Sequence, residues 1–215
     1  KAFEPTAHQR ELLDKAAKAA FKMSKLEIWN GLRTQPGGQY YPDRKWVNVF
    51  AGQNPVFQSN PTFTNLVQRI AYFTSAYATS PGMVVDLVEK GAKYPSTWLD
   101  SDGNYLEGGN TYQLHLPPDV PAANFWSVTV YDAVHASGLE NGQPLPSLNS
   151  MDKPAQNSDG SYDLYFGPKA PTGKEANWVA TVPGAGYFIL LRLYSPREAF
   201  FKQTWKPDDV KRIAN

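Results

Sequence analysis

The segment Tyr187-Phe-Ile-Leu-Leu-Arg-Leu-Tyr194 constrains this chain's fold more than any other. A strand wet on one face alternates apolar and polar residues, so a run apolar at all positions but one predicts a central strand covered on both faces. Ser195-Pro196 ends it, because proline removes a ladder donor. Four further runs upstream share its β-branched and aromatic character: Thr111–Leu116, Phe125–Asp132, Tyr162–Phe166 and Asn177–Val182. Turn clusters separate them, among them Ser101-Asp-Gly-Asn104, Asn141-Gly142, Ser158-Asp-Gly160 and Pro183-Gly-Ala-Gly186, the last expected as a hairpin turn. Short strands without helical crossovers predict an antiparallel β-sandwich, jelly-roll-like, over residues 96–215, with a last helical turn at Arg197–Lys202.

Residues 1–95 read differently. Thr6-Ala-His-Gln9 has the form of a capping box. Leu13, Ala16, Ala17, Ala20 and Ile28 then recur on one helical face, Lys15, Lys18, Lys22 and Lys25 fall opposite, and Asn30-Gly31 is the expected stop. Asn60-Pro61 and Ser80-Pro81 predict two more helix starts, the first carrying Phe63 to Phe73 and the second ending at Gly91. Between helices one and two, a loop rich in proline and glycine carries Tyr40, Tyr41, Trp46, Phe50 and Phe57. Aromatic rings gain little unless buried, so this loop is expected to pack across another part of the molecule. The predicted class is α+β: a helical N-terminal segment (1–95) followed by the sandwich.

Composition removes several functions. The 21 basic and 20 acidic residues leave a net charge of +1, so no general attraction to nucleic acid or anionic membranes is expected. The absence of cysteine excludes disulfides, thiolate nucleophiles and zinc–thiolate sites. No run reaches the ~20 apolar residues of a membrane span. The chain opens on Lys1 without a signal-like segment, which is read as a processed, cut or engineered product. There is no G-x-S-x-G elbow, Walker loop or H-E-x-x-H motif. No cofactor or metal is called for.

Three strings, SDGNYLEGGNTYQLHLPPDVPAANFWSVTVYD after Asp100, SDGSYDLYFGPKAPTGKEANW (158–178) and GYFILLRLYSPREAFFKQTWKPDDV (186–210), resemble domain of unknown function 1214. GQYYPDRKW (38–46) and YATSPGMV (77–84) resemble its helical connector. The resemblance implies a unit that follows a partner module, domain of unknown function 1254, in bacterial proteins that often carry export signals. On it rest the expectations that the partner module is missing from this chain and that the protein is exported, periplasmic or secreted. It implies no activity and no catalytic residue. Where the family pattern often runs through Arg-Ser-Met, this chain has His135-Ala-Ser-Gly138.

The candidate chemistry is sparse. Asp132 and His135 can share a strand end and, with Arg192, make a candidate acid, base and anchor. Arg192 interrupts the apolar strand on the face shared with Phe188, Leu190 and Tyr194, so it needs a partner; Asp132, Asp163 and Glu175 are candidates. Trp126, Tyr131 and Trp178 are candidate ligand-lining aromatics, set against their use as core. The preferred function is a non-catalytic exported module that binds a small apolar or carbohydrate-like ligand or docks its partner module. The alternative is an enzyme acting on a small organic substrate through Asp132, His135 and Arg192.

Overall fold

The structure, a computed structural model, describes residues 3–50, 54–76 and 79–214. Helix α1 (Ala7–Leu26) begins as its sequence dictates: the Thr6 side chain accepts from the Gln9 amide while the Gln9 side chain accepts from the Thr6 amide. It does not stop at Asn30-Gly31. A π-helical turn (Glu27–Gly31) and a last turn α2 (Leu32–Thr34) carry it on. Ile28 and Leu32 are both buried there, and burying them outweighs the preference of Gly31 for ending a helix. The expected apolar face of α1 stays largely exposed, whereas Lys25, one of the lysines set opposite it, is buried.

The second expected start is displaced. Asn60 accepts from the amide and hydroxyl of Thr62, an Asx turn that makes a small hairpin of β1 (Gln58–Asn60) and β2 (Phe63–Thr64). Helix α3 (Leu66–Ser75) starts five residues later, capped by Asn65, whose side chain accepts from the Gln68 amide. The third helix is one turn, α4 (Pro81–Val84), and its expected continuation Leu87 and Val88 is exposed.

The sandwich follows. One sheet orders β3 (Ala92–Lys93), β10 (Tyr187–Tyr194), β6 (Trp126–Asp132) and β7 (Ser147–Asn149), with β4 (Ser96–Thr97) also on β10. The other orders β11 (Lys211–Ile213), β5 (Thr111–Leu116), β8 (Tyr162–Gly167) and β9 (Trp178–Ala180). β8 and β9 run parallel, so the second sheet is mixed rather than antiparallel throughout. β9 and β10 lie in different sheets, so Pro183–Gly186 is a crossing between sheets and not a hairpin turn. A single-turn helix α5 (Glu198–Phe201) falls within Arg197–Lys202.

Two cores result. Tyr187, Ile189, Leu191 and Leu193 of β10 face the second sheet and pack with Leu114, Leu164 and Phe166. The opposite face of β10 meets the helical segment, where Ile28, Leu32, Ala71 and Tyr72 pack with Trp98 and Phe188. The central strand is thus covered on both faces, by a sheet and by helices. The aromatic loop serves both: Tyr41 and Trp46 enter the sandwich core, Phe50 and Phe57 the helical one.

Candidate functional site

The pleat of β10 builds a cavity. Phe188, Leu190, Arg192 and Tyr194 alternate onto the helical face and form its floor, and Tyr131 joins them from β6 as the register partner of Phe188. Tyr94, Ser96 and Trp98 make one side, and Phe50, Tyr72 and Met83 close it from the helical segment. The space is about 280 Å³, at the small end of ligand pockets.

Arg192 is the charge in this space. Its guanidinium donates to the Tyr131 hydroxyl and lies 5.8 Å from the centre of that ring. Its Nε–H is buried and has no hydrogen-bond partner among the described residues. None of the carboxylates expected to neutralise it does so: Asp132 caps a turn, Asp163 binds His115, and Glu175 accepts from the Gly173 amide. Burial raises the Tyr94 hydroxyl above the ordinary tyrosine range, with neighbouring Tyr194 adding to the effect and Arg192 opposing it. Burial likewise raises Tyr72. Both phenols are therefore neutral donors at physiological pH.

The structure brings Asp132 and His135 together and sets Arg192 apart. Asp132 Oδ1 accepts from the Val134 and His135 amides at 2.9 and 2.6 Å and lies 3.0 Å from His135 Nδ1. This pair closes the turn after β6, where the His135 side chain is 75% exposed. Asp132 lies opposite Tyr187 and Arg192 opposite Ser127 on one ladder, a spacing of about 16 Å at ~3.3 Å per residue. Lys25 from α1 also approaches Asp132; burial lowers its pKa while the carboxylate opposes that shift.

The three candidate aromatics part company. Tyr131 lines the cavity. Trp126 faces the sandwich core, 5% exposed and edge-on to Tyr162. Trp178 sits half-buried on the second sheet, its Nε1 donating to the Gly167 carbonyl. Sequence reasoning passed over Tyr94, Trp98 and Tyr72, since nothing local marks which aromatic rings a distant strand will face. The one signal available was the alternation along β10, which placed Arg192 with Phe188, Leu190 and Tyr194.

A second acid–base pair lies elsewhere. His115 Nδ1 is 2.8 Å from Asp163 Oδ1 across β5 and β8, and Asn157 donates to the other carboxylate oxygen. Burial raises the Asp163 pKa, but hydrogen bonds from His115, Asn157 and Gln113 outweigh it and hold the carboxyl below its usual value. Its folded pKa lies below the unfolded one, so it contributes stability above about pH 4 that is lost as pH falls through the lower folded value. Asp163→Asn is expected to flatten this acid-side loss in melting temperatures taken from roughly pH 6 down to pH 2.5. An acid limb as steep as that of the parent would count against the assignment.

No curated protein matches the sequence. Among solved structures, the VPA0106 protein from Vibrio parahaemolyticus is 16% identical, with a TM-score of 0.55 over 99% of this chain and 47% of its own. An uncharacterised protein from Burkholderia cenocepacia is 15% identical, covering 91% of this chain and 48% of its own at a TM-score of 0.39. The chain therefore spans about half the length of these two structures, and the likeness to the first is one of fold. The family described as "Protein of unknown function (DUF1214)" matches residues 91–198, from the edge of β3 through β10 to α5. That match takes in the strands that floor the cavity and half of the sequence, and this chain belongs to the DUF1214 family.

Proposed function

We propose that this protein is a binding module that holds a small, largely apolar ligand between its first sheet and its helical segment. The observation that carries the reading is Arg192: a buried, unpartnered Nε–H on the floor of an aromatic-lined cavity. A buried donor left without an acceptor is costly, and a ligand acceptor at this point removes the cost. The separation of Arg192 from Asp132 and His135 supports binding over acid–base chemistry, which needs its groups within hydrogen-bond reach.

Protein purified gently from its source is expected to carry a discrete extra mass in native mass spectrometry that disappears on denaturation. Leu190→Trp, which fills the floor of the cavity, should arrive bare. Equal retention by parent and variant would place the ligand elsewhere and sink this reading.

A partner module remains part of the proposal. Leu12, Met23 and Leu26 fall on one face of α1 and are each about half exposed or more, an apolar stripe for a neighbouring module to cover. Amide exchange along α1 should slow in any longer natural form that carries that module; exchange at the same rate would remove this role from α1. Export of the protein, and the jelly-roll description of its sandwich, stand with this proposal.

A further inference from the structure

We infer that the cavity takes a planar monocarboxylate, an aromatic or conjugated acid whose ring packs against the aromatic lining and whose carboxylate meets Arg192 and Tyr131. This rests on the ligand-binding reading above and names its chemical class.

Charge sets the first limit. Among the described residues that line the cavity, Arg192 is the one formally charged group. A single guanidinium balances a single negative charge. A phosphate monoester would bring a second charge into the same space with no cation to meet it, which burial penalises heavily. A neutral ligand would leave the guanidinium uncompensated. A carboxylate matches the planar fork of arginine and can accept from Nε as well as from a terminal nitrogen. The free Nε–H is the position such a bidentate contact requires.

Shape sets the second. Trp98 stacks on Phe188 with ring centres 4.6 Å apart at 19°, and Phe188 stacks on Tyr131 at 5.2 Å and 16°. Trp98, Phe188 and Tyr131 thus form one ordered stack of near-parallel rings in the lining, an aromatic surround that suits an aromatic ligand body. A sugar would need polar partners along its whole length. Here the described polar lining is sparse: Tyr131 bonds Arg192, and the other polar groups are the hydroxyls of Tyr72, Tyr94, Ser96 and Tyr194 and the Nε1–H of Trp98. Leu190, Phe50 and Met83 face the rest of the space. A volume near 280 Å³ accommodates about one or two fused rings.

The test is isothermal titration of the whole chain with three probes that share one ring system: 2-naphthoate, 2-naphthalenemethanol and 2-naphthyl phosphate. The acid is expected to bind at least about tenfold more tightly than the alcohol or the phosphate. Arg192→Gln should abolish that preference while leaving affinity for the alcohol within about threefold. Arg192→Lys keeps the charge without the fork and should recover only part of it. Near-ultraviolet circular dichroism of each variant establishes that the fold is retained. If the alcohol or the phosphate binds as well as the acid, the carboxylate inference fails and the cavity reading stands. If none of the three binds at millimolar concentration, both fail together.

Discussion

Replacing Trp46 by alanine is expected to cost about 3–5 kcal/mol of folding free energy, the range for deleting a large buried aromatic side chain. Trp46 has no exposed surface, although it lies in a loop rich in proline and glycine, and it packs into the sandwich core. Its Nε1 donates to the Asp208 carbonyl at 3.0 Å. The substitution therefore opens a cavity and leaves a carbonyl without its donor. The neighbouring contacts join the same two segments: the Lys45 amide donates to Asp209 Oδ1 at 2.7 Å, and Lys206 pairs with Asp43 at 2.9 Å. Burial raises the Asp209 pKa against the lowering effect of that amide and of nearby cations, as expected for a carboxylate enclosed by this junction. Urea unfolding followed by fluorescence should show the midpoint falling with little change in slope. A loss below about 1 kcal/mol would show that the loop is not part of the core.

Phe188→Ala is expected to have an effect of similar size, about 3–5 kcal/mol, with a different structural consequence. Phe188 is 4% exposed and stands between Trp98 and Tyr131. It is the residue of β10 through which the helical core rests on the sheet. Removing it leaves the inward face of β10, Tyr187, Ile189, Leu191 and Leu193, packed as before. Loss should therefore concentrate in the helical segment: near-ultraviolet dichroism from the stacked rings falls, protease cuts between residues 54 and 76 accelerate, and amide exchange in β5 and β8 changes little. Uniform loosening of both sheets would contradict the division into two cores. The variant should also lose ligand retention, because the cavity loses the centre of its floor.

The packing of one sheet on the other and the proposed chemistry draw on opposite faces of one strand. Ile189 and Leu191 make the sandwich, whereas Leu190 and Arg192 make the cavity. The period of two along a strand permits this separation: residues on the helical face can answer to a ligand while those on the other face keep the sheets together.

Much of this was legible in the residues. The capping box at Thr6 and Gln9 formed because its geometry needs only four consecutive residues. Strands β5 and β10 occupy the ranges expected for them, because β-branched and aromatic runs between turn residues carry their own signal. Burial of the aromatic loop followed from the cost of leaving such rings in water. The failures were local signals overruled by distant packing. Asn60-Pro61 carries a helix-start signal, yet an Asx turn and a hairpin use it, and Asn65 caps the helix instead. Gly31 carries a stop signal, yet burial of Ile28 and Leu32 holds the helix open through a π-helical turn. β7 and β11, three residues each, pass unnoticed because their pairing partners, not their own sequences, make them strands.

By itself the sequence determined the α+β class, the longer strands of the sandwich, and a central strand with one arginine on the face of Phe188, Leu190 and Tyr194. Those depend on short-range periodicity and on residue chemistry. Only the tertiary structure decided what that arginine meets. Tyr131 reaches it through the register of β6 on β10, Trp98 and Tyr94 through the edge of the sheet, and Tyr72 through the docking of α3. Each of these neighbours is brought in by chain closure over tens of residues, which local patterns do not encode. Asp132, three residues from His135 in sequence, found that histidine and not Arg192, because the turn after β6 closes locally while the ladder holds the arginine at its other end.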